Sequence, residues 1–204
     1  MRTLLLVSWI VAPLAATAWT ATALAARAPS AAGSHAQESA SNSDLKVTVA
    51  LDSAEQSGTA SATVRIHALR EVVWSLITSC PESLRMVPGL EACDVLESAP
   101  DQSWQTIRHI MNYSWYVPKV TYVIRAVYDR PSKVTIERIA GDLRTLRGSW
   151  ELKSDGDYTI AQYMVDLAPG FWVPQWIVRS ALREDLPKML RALRSRAEAP
   201  NFKP

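Results

Sequence analysis

The sequence contains little of several residue types that mark well-known classes of protein. It has two cysteines and seven glycines in 204 residues, too few for a disulfide-rich mini-protein, a four-cysteine metal site or a collagen-like chain. It also lacks an excess of one charge, because 22 Lys and Arg stand against 20 Asp and Glu. Nucleic-acid-binding domains are normally strongly basic, so the composition gives no support for a nucleic-acid partner.

Motifs of the common catalytic and metal sites are missing as well. The chain has no H-E-x-x-H, C-x-x-C, G-x-S-x-G or G-x-G-x-x-G motif and no phosphate-binding loop. Its three histidines, His35, His67 and His109, are not at the spacing of metal ligands. The sequence therefore predicts no metal ion, no cofactor and no identifiable catalytic residue. His109 as a general base is the alternative to a strand histidine that faces solvent or bonds to a neighbour.

The first part of the chain has the pattern of an export signal. Between Arg2 and Arg27 lie 24 residues without a charge, and the small-residue site Ala23-Leu24-Ala25 follows an apolar stretch. We predict a signal peptide over residues 1–25, with cleavage as late as residue 36, and a flexible linker over residues 26–44. The alternative is an uncleaved membrane anchor.

The two cysteines are interpreted in the light of that signal. An exported protein, periplasmic or secreted, meets an oxidising environment in which disulfides persist. We therefore predict that Cys80 and Cys93 form a structural disulfide. Two buried free thiols are the alternative.

Hydrophobic periodicity predicts an α+β domain over residues 45–198, followed by a tail of residues 199–204. Residues 45–51 alternate between apolar and polar, and a second strand follows near Val64 and Ile66. The apolar face from Leu69 to Ile77 predicts a helix, and PESLRMVPG a short second one. Short connections then imply antiparallel neighbours. These further strands are predicted near residues 91–97, 102–114, 119–129, 132–139, 143–153 and 157–168.

A long helix is predicted over Pro174–Ala197, with a kink at Pro187, which cannot donate to the carbonyl of Arg183. Seven or eight strands make a sheet more than about 30 Å wide, whereas a helix measures only about 10–12 Å across. The sheet must therefore curl round the helix. Periodicity leaves open whether side chains fill the space between them or a cavity remains.

Three segments resemble a known family: ATVRIHALREVVWSLITSCPESLRMVPGLEACDVLE, GDLRTLRGSWELK and APGFWVPQWIVRSALREDLPKMLRALRSRAE. Gly148 and Trp150 match the G-x-W of a late strand, and Pro174 and Trp176 match the P-x-W that begins the last helix. The segments resemble the START-like (SRPBCC) superfamily, and within it the polyketide-cyclase and coenzyme-Q-binding START branch. The resemblance covers about residues 60–198.

The resemblance implies a helix-grip fold, in which a curved antiparallel sheet of seven or eight strands wraps round the C-terminal helix, with one or two short helices near the start. It also implies a pocket for a lipid, quinone or polyketide-like molecule, used by a carrier or sequestering protein. One alternative is a cyclase or aromatase acting in the same pocket. Another is an envelope interaction module whose pocket is collapsed, in which case no apolar cavity of about 300 Å³ is expected.

Aromatic side chains are the candidate ligand contacts. The chain has eight Trp and six Tyr but two Phe, and Trp and Tyr combine apolar faces with one polar tip. Such side chains suit a pocket that orients an amphipathic ligand, although they can also simply fill the core. We predict ligand contacts for Tyr113, Trp115, Tyr122, Trp150, Tyr163, Trp172 and Trp176.

The predicted terminal helix has a local excess of positive charge. Residues 179–196 contain six basic and two acidic side chains. A basic amphipathic helix can lie on anionic lipid, which would give a weak membrane-surface contact. A solvated helix face of a monomeric protein is the alternative.

Overall fold

A computed structural model of the chain describes residues 38–42, 44–113 and 118–200, with side chains from residue 44 onward. Within these ranges the protein has nine strands and two helical regions. The strands are β1 (Glu38–Asn42), β2 (Leu45–Asp52), β3 (Ser57–Ile66), β4 (Leu90–Ser98), β5 (Trp104–Met111), β6 (Val120–Asp129), β7 (Lys133–Gly141), β8 (Leu143–Asp155) and β9 (Tyr158–Pro169).

The strands form one antiparallel sheet in the order β1-β2-β3-β9-β8-β7-β6-β5-β4. The sheet curves round a long C-terminal helix, so the predicted α+β helix-grip fold is confirmed. The described sheet has nine strands where seven or eight were predicted. The additional strand, β1, lies inside the segment 26–44 predicted as a linker and pairs with β2.

Alternation along the strands separates the core from solvent. Leu45, Val47 and Val49 of β2 are buried, whereas Lys46 between them is exposed. The same period buries Ala60, Ala62 and Val64 of β3. This alternation confirms the half-buried strand that the sequence predicted at this position.

Two short helices connect β3 with the far edge of the sheet. Helix α1 (Arg70–Ile77) and helix α2 (Cys80–Met86) lie where the apolar face and the PESLRMVPG segment predicted them. The Ser79 side chain accepts a hydrogen bond from the backbone N–H of Glu82, and Pro81 occupies the first turn of α2. Capping and the proline together fix the point at which α2 begins.

The C-terminal helical region has three parts: α3 (Gln175–Ser180), a π-helical turn (Ala181–Asp185) and α4 (Leu186–Ala197). We refer to the three together as the terminal helix. The backbone N–H of Leu186 bonds to the carbonyl of Ala181, the spacing of a π-helix. Pro187 follows immediately and has no N–H to give to the α-helical ladder. Where a kink at Pro187 was predicted, the structure has a π-helical turn that ends two residues before the proline.

The terminal helix fills the concave side of the sheet. Its residues Leu190 and Leu193 are almost completely buried, and it packs against α1, α2, β2 and β3. Among the described helices none is long and apolar enough to cross a membrane. The predicted signal peptide and its cleavage sites, up to residue 36, lie outside the described residues.

Candidate functional site

A cavity of three adjoining lobes lies between the sheet and the terminal helix. The inner lobe, about 170 Å³, is bounded by residues 77–87, by strands β5 to β9 and by Met189 and Leu193 of α4. The middle lobe, about 120 Å³, lies beside the π-helical turn, and the end lobe, about 30 Å³, beside the start of the terminal helix. Tyr122 and Tyr163 line both the inner and the middle lobe, so these two lobes are neighbours.

The lining of the cavity is mostly apolar and carries little charge. Ile107, Ile124 and Trp150 are typical of the inner lobe, and Leu143 and Leu167 of the middle and end lobes. No single lobe reaches about 300 Å³, so the lobes taken one by one meet the expectation for the collapsed-pocket alternative, and only the adjoining lobes taken together provide the space of a drug-sized pocket. The lobes suit a slim apolar molecule that extends through more than one of them.

Three partly buried tyrosines converge where the lobes meet. Burial raises the pKa of Tyr113 and of Tyr163 to about 12, and it raises the pKa of Tyr122 well above 10.0. The nearby phenol of Tyr113 contributes to the shifts of the other two. All three hydroxyls therefore stay protonated at neutral pH, and each has one hydrogen to donate.

His109 makes a polar chain with one of these tyrosines. Its Nδ1 lies 3.2 Å from the hydroxyl of Tyr122, and its Nε2 lies 3.3 Å from the Sγ of Cys93. A sulfur bonded in a disulfide carries no hydrogen, so Nε2 must be the donor and Nδ1 the acceptor from Tyr122. Burial lowers the pKa of His109 to about 4, so the ring is neutral at physiological pH.

The predicted disulfide is present and forms part of the cavity wall. Cys80 at the start of α2 is bonded to Cys93 of β4, with 5.3 Å between their Cα atoms. It ties the helical segment that bounds the inner lobe to the edge of the sheet. Cys80, Cys93 and His109 bring three ligand-type atoms within 4.8 Å of one another. The two sulfurs are consumed by their mutual bond and offer no thiolate to a metal.

Comparisons with known proteins place this site in a family. A family model described as "Polyketide cyclase / dehydrase and lipid transport" matches residues 66–194. The chain belongs to this family. No sequence among the curated proteins matches it.

Several solved structures have a fold similar to that of this family member. The STAR-related lipid transfer protein of Xanthomonas axonopodis is 20% identical with a TM-score of 0.65, over 80% of this chain and 99% of that one. The Zhui aromatase/cyclase of a Streptomyces species is 17% identical with a TM-score of 0.59, over 70% and 94%. A START superfamily protein of Mycobacterium smegmatis is 19% identical with a TM-score of 0.59, over 69% and 97%. These structural matches establish a shared fold, and at such low sequence identity they establish nothing more.

Four of the seven side chains predicted to contact a ligand line the cavity of this family member, and two described ones do not. Tyr113, Tyr122, Trp150 and Tyr163 line one or two lobes each. Trp172 is 75% exposed and Trp176 is 49% exposed, and neither lines a lobe. Trp115 lies in residues 114–117, outside the described residues. Ligand contact by all seven side chains stays a prediction.

Several polar residues of the lining were not predicted as contacts from the sequence, and His109 and Asp185 are two of them. His109 shares the inner face of β5 with Ile107 and Met111, so period-two alternation past the exposed Arg108 was the available signal. Asp185 lines the middle lobe from the π-helical turn. Its position had no signal, because helical periodicity with 3.6 residues per turn does not describe a π-helical turn.

Proposed function

We propose that the protein binds a hydrophobic small molecule, such as a lipid, a quinone or a polyketide-like compound, and acts as its carrier or sequestering protein. The observation that carries this proposal is the three-lobed cavity between sheet and terminal helix, with buried phenol hydroxyls at its centre. Apolar walls with a few converging polar groups are typical of small-molecule sites. The lipid transfer protein of similar fold supports the same interpretation.

We also propose that the protein works outside the cytoplasm. The signal-like N-terminal sequence and the Cys80–Cys93 disulfide are the two supporting observations. A disulfide of this kind persists in an oxidising compartment. Ligand capture would then take place in the periplasm or after secretion.

Native mass spectrometry tests the binding function. Protein purified from its own compartment is expected to carry a reproducible additional mass that organic extraction removes and identifies as one apolar compound. The same protein after extraction serves as the control, and it should take up that compound again. A clean unliganded mass, together with no uptake from a panel of lipids and quinones, would refute the proposal.

A cyclase or aromatase is the second candidate, because His109 and Tyr122 form a hydrogen-bonded pair on the wall of the inner lobe. The aromatase/cyclase of similar fold is consistent with it. However, a pKa of about 4 makes the neutral imidazole of His109 a weak base near neutral pH. Recovery of the extracted compound unchanged after re-incubation with the protein supports the carrier, whereas conversion supports the enzyme.

A further inference from the structure

Two of the cavity tyrosines have hydroxyls that bond to no other residue in the described part of the chain. Tyr122 donates to His109, and Tyr128 donates to Gln105 over 2.9 Å. By contrast, the hydroxyls of Tyr113 and Tyr163 have no hydrogen-bond partner among the described residues, although both partly buried side chains line the middle lobe. Polar groups that line an apolar cavity normally have a hydrogen-bond partner, so two such donors at one lobe indicate that a ligand supplies the acceptor.

The charges round the cavity restrict what that acceptor can be. Among residues 44–113 and 118–200, no Lys or Arg lines any of the three lobes. The charged group at the middle lobe is Asp185, whose carboxylate contacts Lys188 over 3.0 Å and whose negative charge contributes to the raised pKa of Tyr113. A bound carboxylate or phosphate would lose its hydration, find no cation and face Asp185.

An ammonium group fits no better. A phenol oxygen is a poor acceptor because its lone pairs are delocalised into the ring, so a ligand that only donates would leave both hydroxyls of Tyr113 and Tyr163 unused. Asp185 could attract an ammonium into the middle lobe, but such a ligand would still give the two hydroxyls no acceptor. The unpaired donors therefore favour a neutral oxygen acceptor, such as that of a ketone, an ester or an ether.

We propose that the ligand is an uncharged molecule whose oxygen accepts hydrogen bonds from Tyr113 and Tyr163, and that the middle lobe discriminates against anions through Asp185. This inference rests on the proposed binding function and adds the chemical class of the ligand. It separates two groups of apolar molecules, because fatty acids and phospholipids carry anionic heads whereas ketones and esters do not.

Two ten-carbon probes test this inference by isothermal titration calorimetry on the extracted, disulfide-intact protein near neutral pH. Methyl octyl ketone is neutral and has one acceptor oxygen, whereas decanoate is an anion with a similar chain. We expect the ketone to bind at least about tenfold more tightly than decanoate, since the anion must be desolvated without a counter-ion. The Asp185→Asn variant should reduce this ratio by strengthening the binding of decanoate.

Substitution of the tyrosines tests the donors directly. The double variant Tyr113→Phe/Tyr163→Phe should weaken ketone binding about tenfold, the sum of two lost hydrogen bonds. Tyr158→Phe is the matched control, because Tyr158 stacks on His67, lines no lobe and should leave ketone binding unchanged. Near-ultraviolet circular dichroism verifies that each variant is folded.

The outcomes separate the inference from the function on which it rests. Decanoate binding as tightly as the ketone, or ketone affinity unchanged in the double variant, would overturn the neutral-acceptor inference and leave ligand binding intact. If neither probe bound and no compound was recovered from the native protein, the proposed function would fall as well.

Discussion

His109 is held in the lining of the cavity with both ring nitrogens engaged. The ring contacts Tyr122 on one side and the disulfide sulfur on the other, and burial lowers its pKa from 6.5 to about 4. A proton added to Nδ1 would break the hydrogen bond that this atom accepts from Tyr122. The folded protein therefore resists protonation of this residue, whereas the unfolded chain does not.

This difference predicts a pH-dependent stability. Between pH 6.5 and about 4 the unfolded chain binds a proton at His109 that the folded protein excludes, so the free energy of unfolding decreases as the pH falls. The full effect is up to about 3 kcal/mol. Urea unfolding at several pH values should show a shallower decrease in His109→Gln, which cannot take up this proton. His67→Gln, which retains His109, should keep the decrease. Parallel curves for wild type and His109→Gln would contradict the prediction.

At the scale of elements, α2 and β4 are joined by a covalent bond. Cys80 and Cys93 are separated by 13 positions, and closing a loop of this size stabilises a fold by about 3 kcal/mol in the chain-entropy model. The bond also holds residues 77–87 in place as the wall of the inner lobe. Its loss should therefore affect both stability and the cavity.

The Cys80→Ser/Cys93→Ser variant should unfold with a free energy about 3 kcal/mol lower than wild type, because its unfolded chain is no longer constrained. Urea denaturation measures the difference. Reductant should lower the stability of the wild type to that of the variant and leave the variant unchanged. A wild type insensitive to reductant would show that the disulfide does not stabilise the protein.

Several basic side chains of the terminal helix have acidic partners in the folded protein. Lys188 contacts Asp185, Arg194 contacts Asp44 and Glu198, and Arg196 contacts Glu82. These ion pairs offset much of the local excess of positive charge that suggested contact with an anionic membrane surface. Membrane contact through residues 179–196 stays a prediction, with fewer unpaired charges to support it.

At the scale of the whole molecule, the question is whether the space between sheet and helix is open or collapsed. Ala126 of β6 lines the inner lobe, whereas Ala62 of β3 is equally buried, at 3% exposure, but lines no lobe. A larger side chain at position 126 would therefore enter the free volume of the lobe, whereas the same side chain at position 62 would meet packed atoms. This pair distinguishes a ligand-binding protein from an interaction module with a filled pocket.

Ala126→Leu should keep the free energy of unfolding within about 1 kcal/mol of wild type, because its added carbons enter the lobe, while Ala62→Leu should cost about 1–3 kcal/mol through overpacking. Urea unfolding compares the two variants. Ala126→Leu should also weaken binding of methyl octyl ketone by about tenfold, as filled space excludes the ligand. Equal destabilisation by both substitutions would indicate a collapsed pocket.

The predictability of the fold and of the site differs from residue to residue. The strand at Leu45 and the helix ending at Ile77 followed from local periodicity, which depends on neighbours along the chain. Tyr113 and Tyr163 could be named as aromatic, but their convergence depends on β9 lying beside β8 and on the chain turning after β5. Asp185 was not foreseeable, because the π-helical turn sets its direction.

From the sequence alone came the order of the elements from β2 onward and the pairing of Cys80 with Cys93, while the helix-grip fold came from the resemblance of three segments to a family. Apolar periodicity and turn residues are local properties of the chain, and two cysteines allow only one pairing. Only the tertiary structure decided which aromatics meet at a cavity, that His109 is neutral, and that two phenol donors face a lobe without a cation. Those properties come from burial and from contacts between residues distant in sequence, since desolvation and hydrogen bonding act through space.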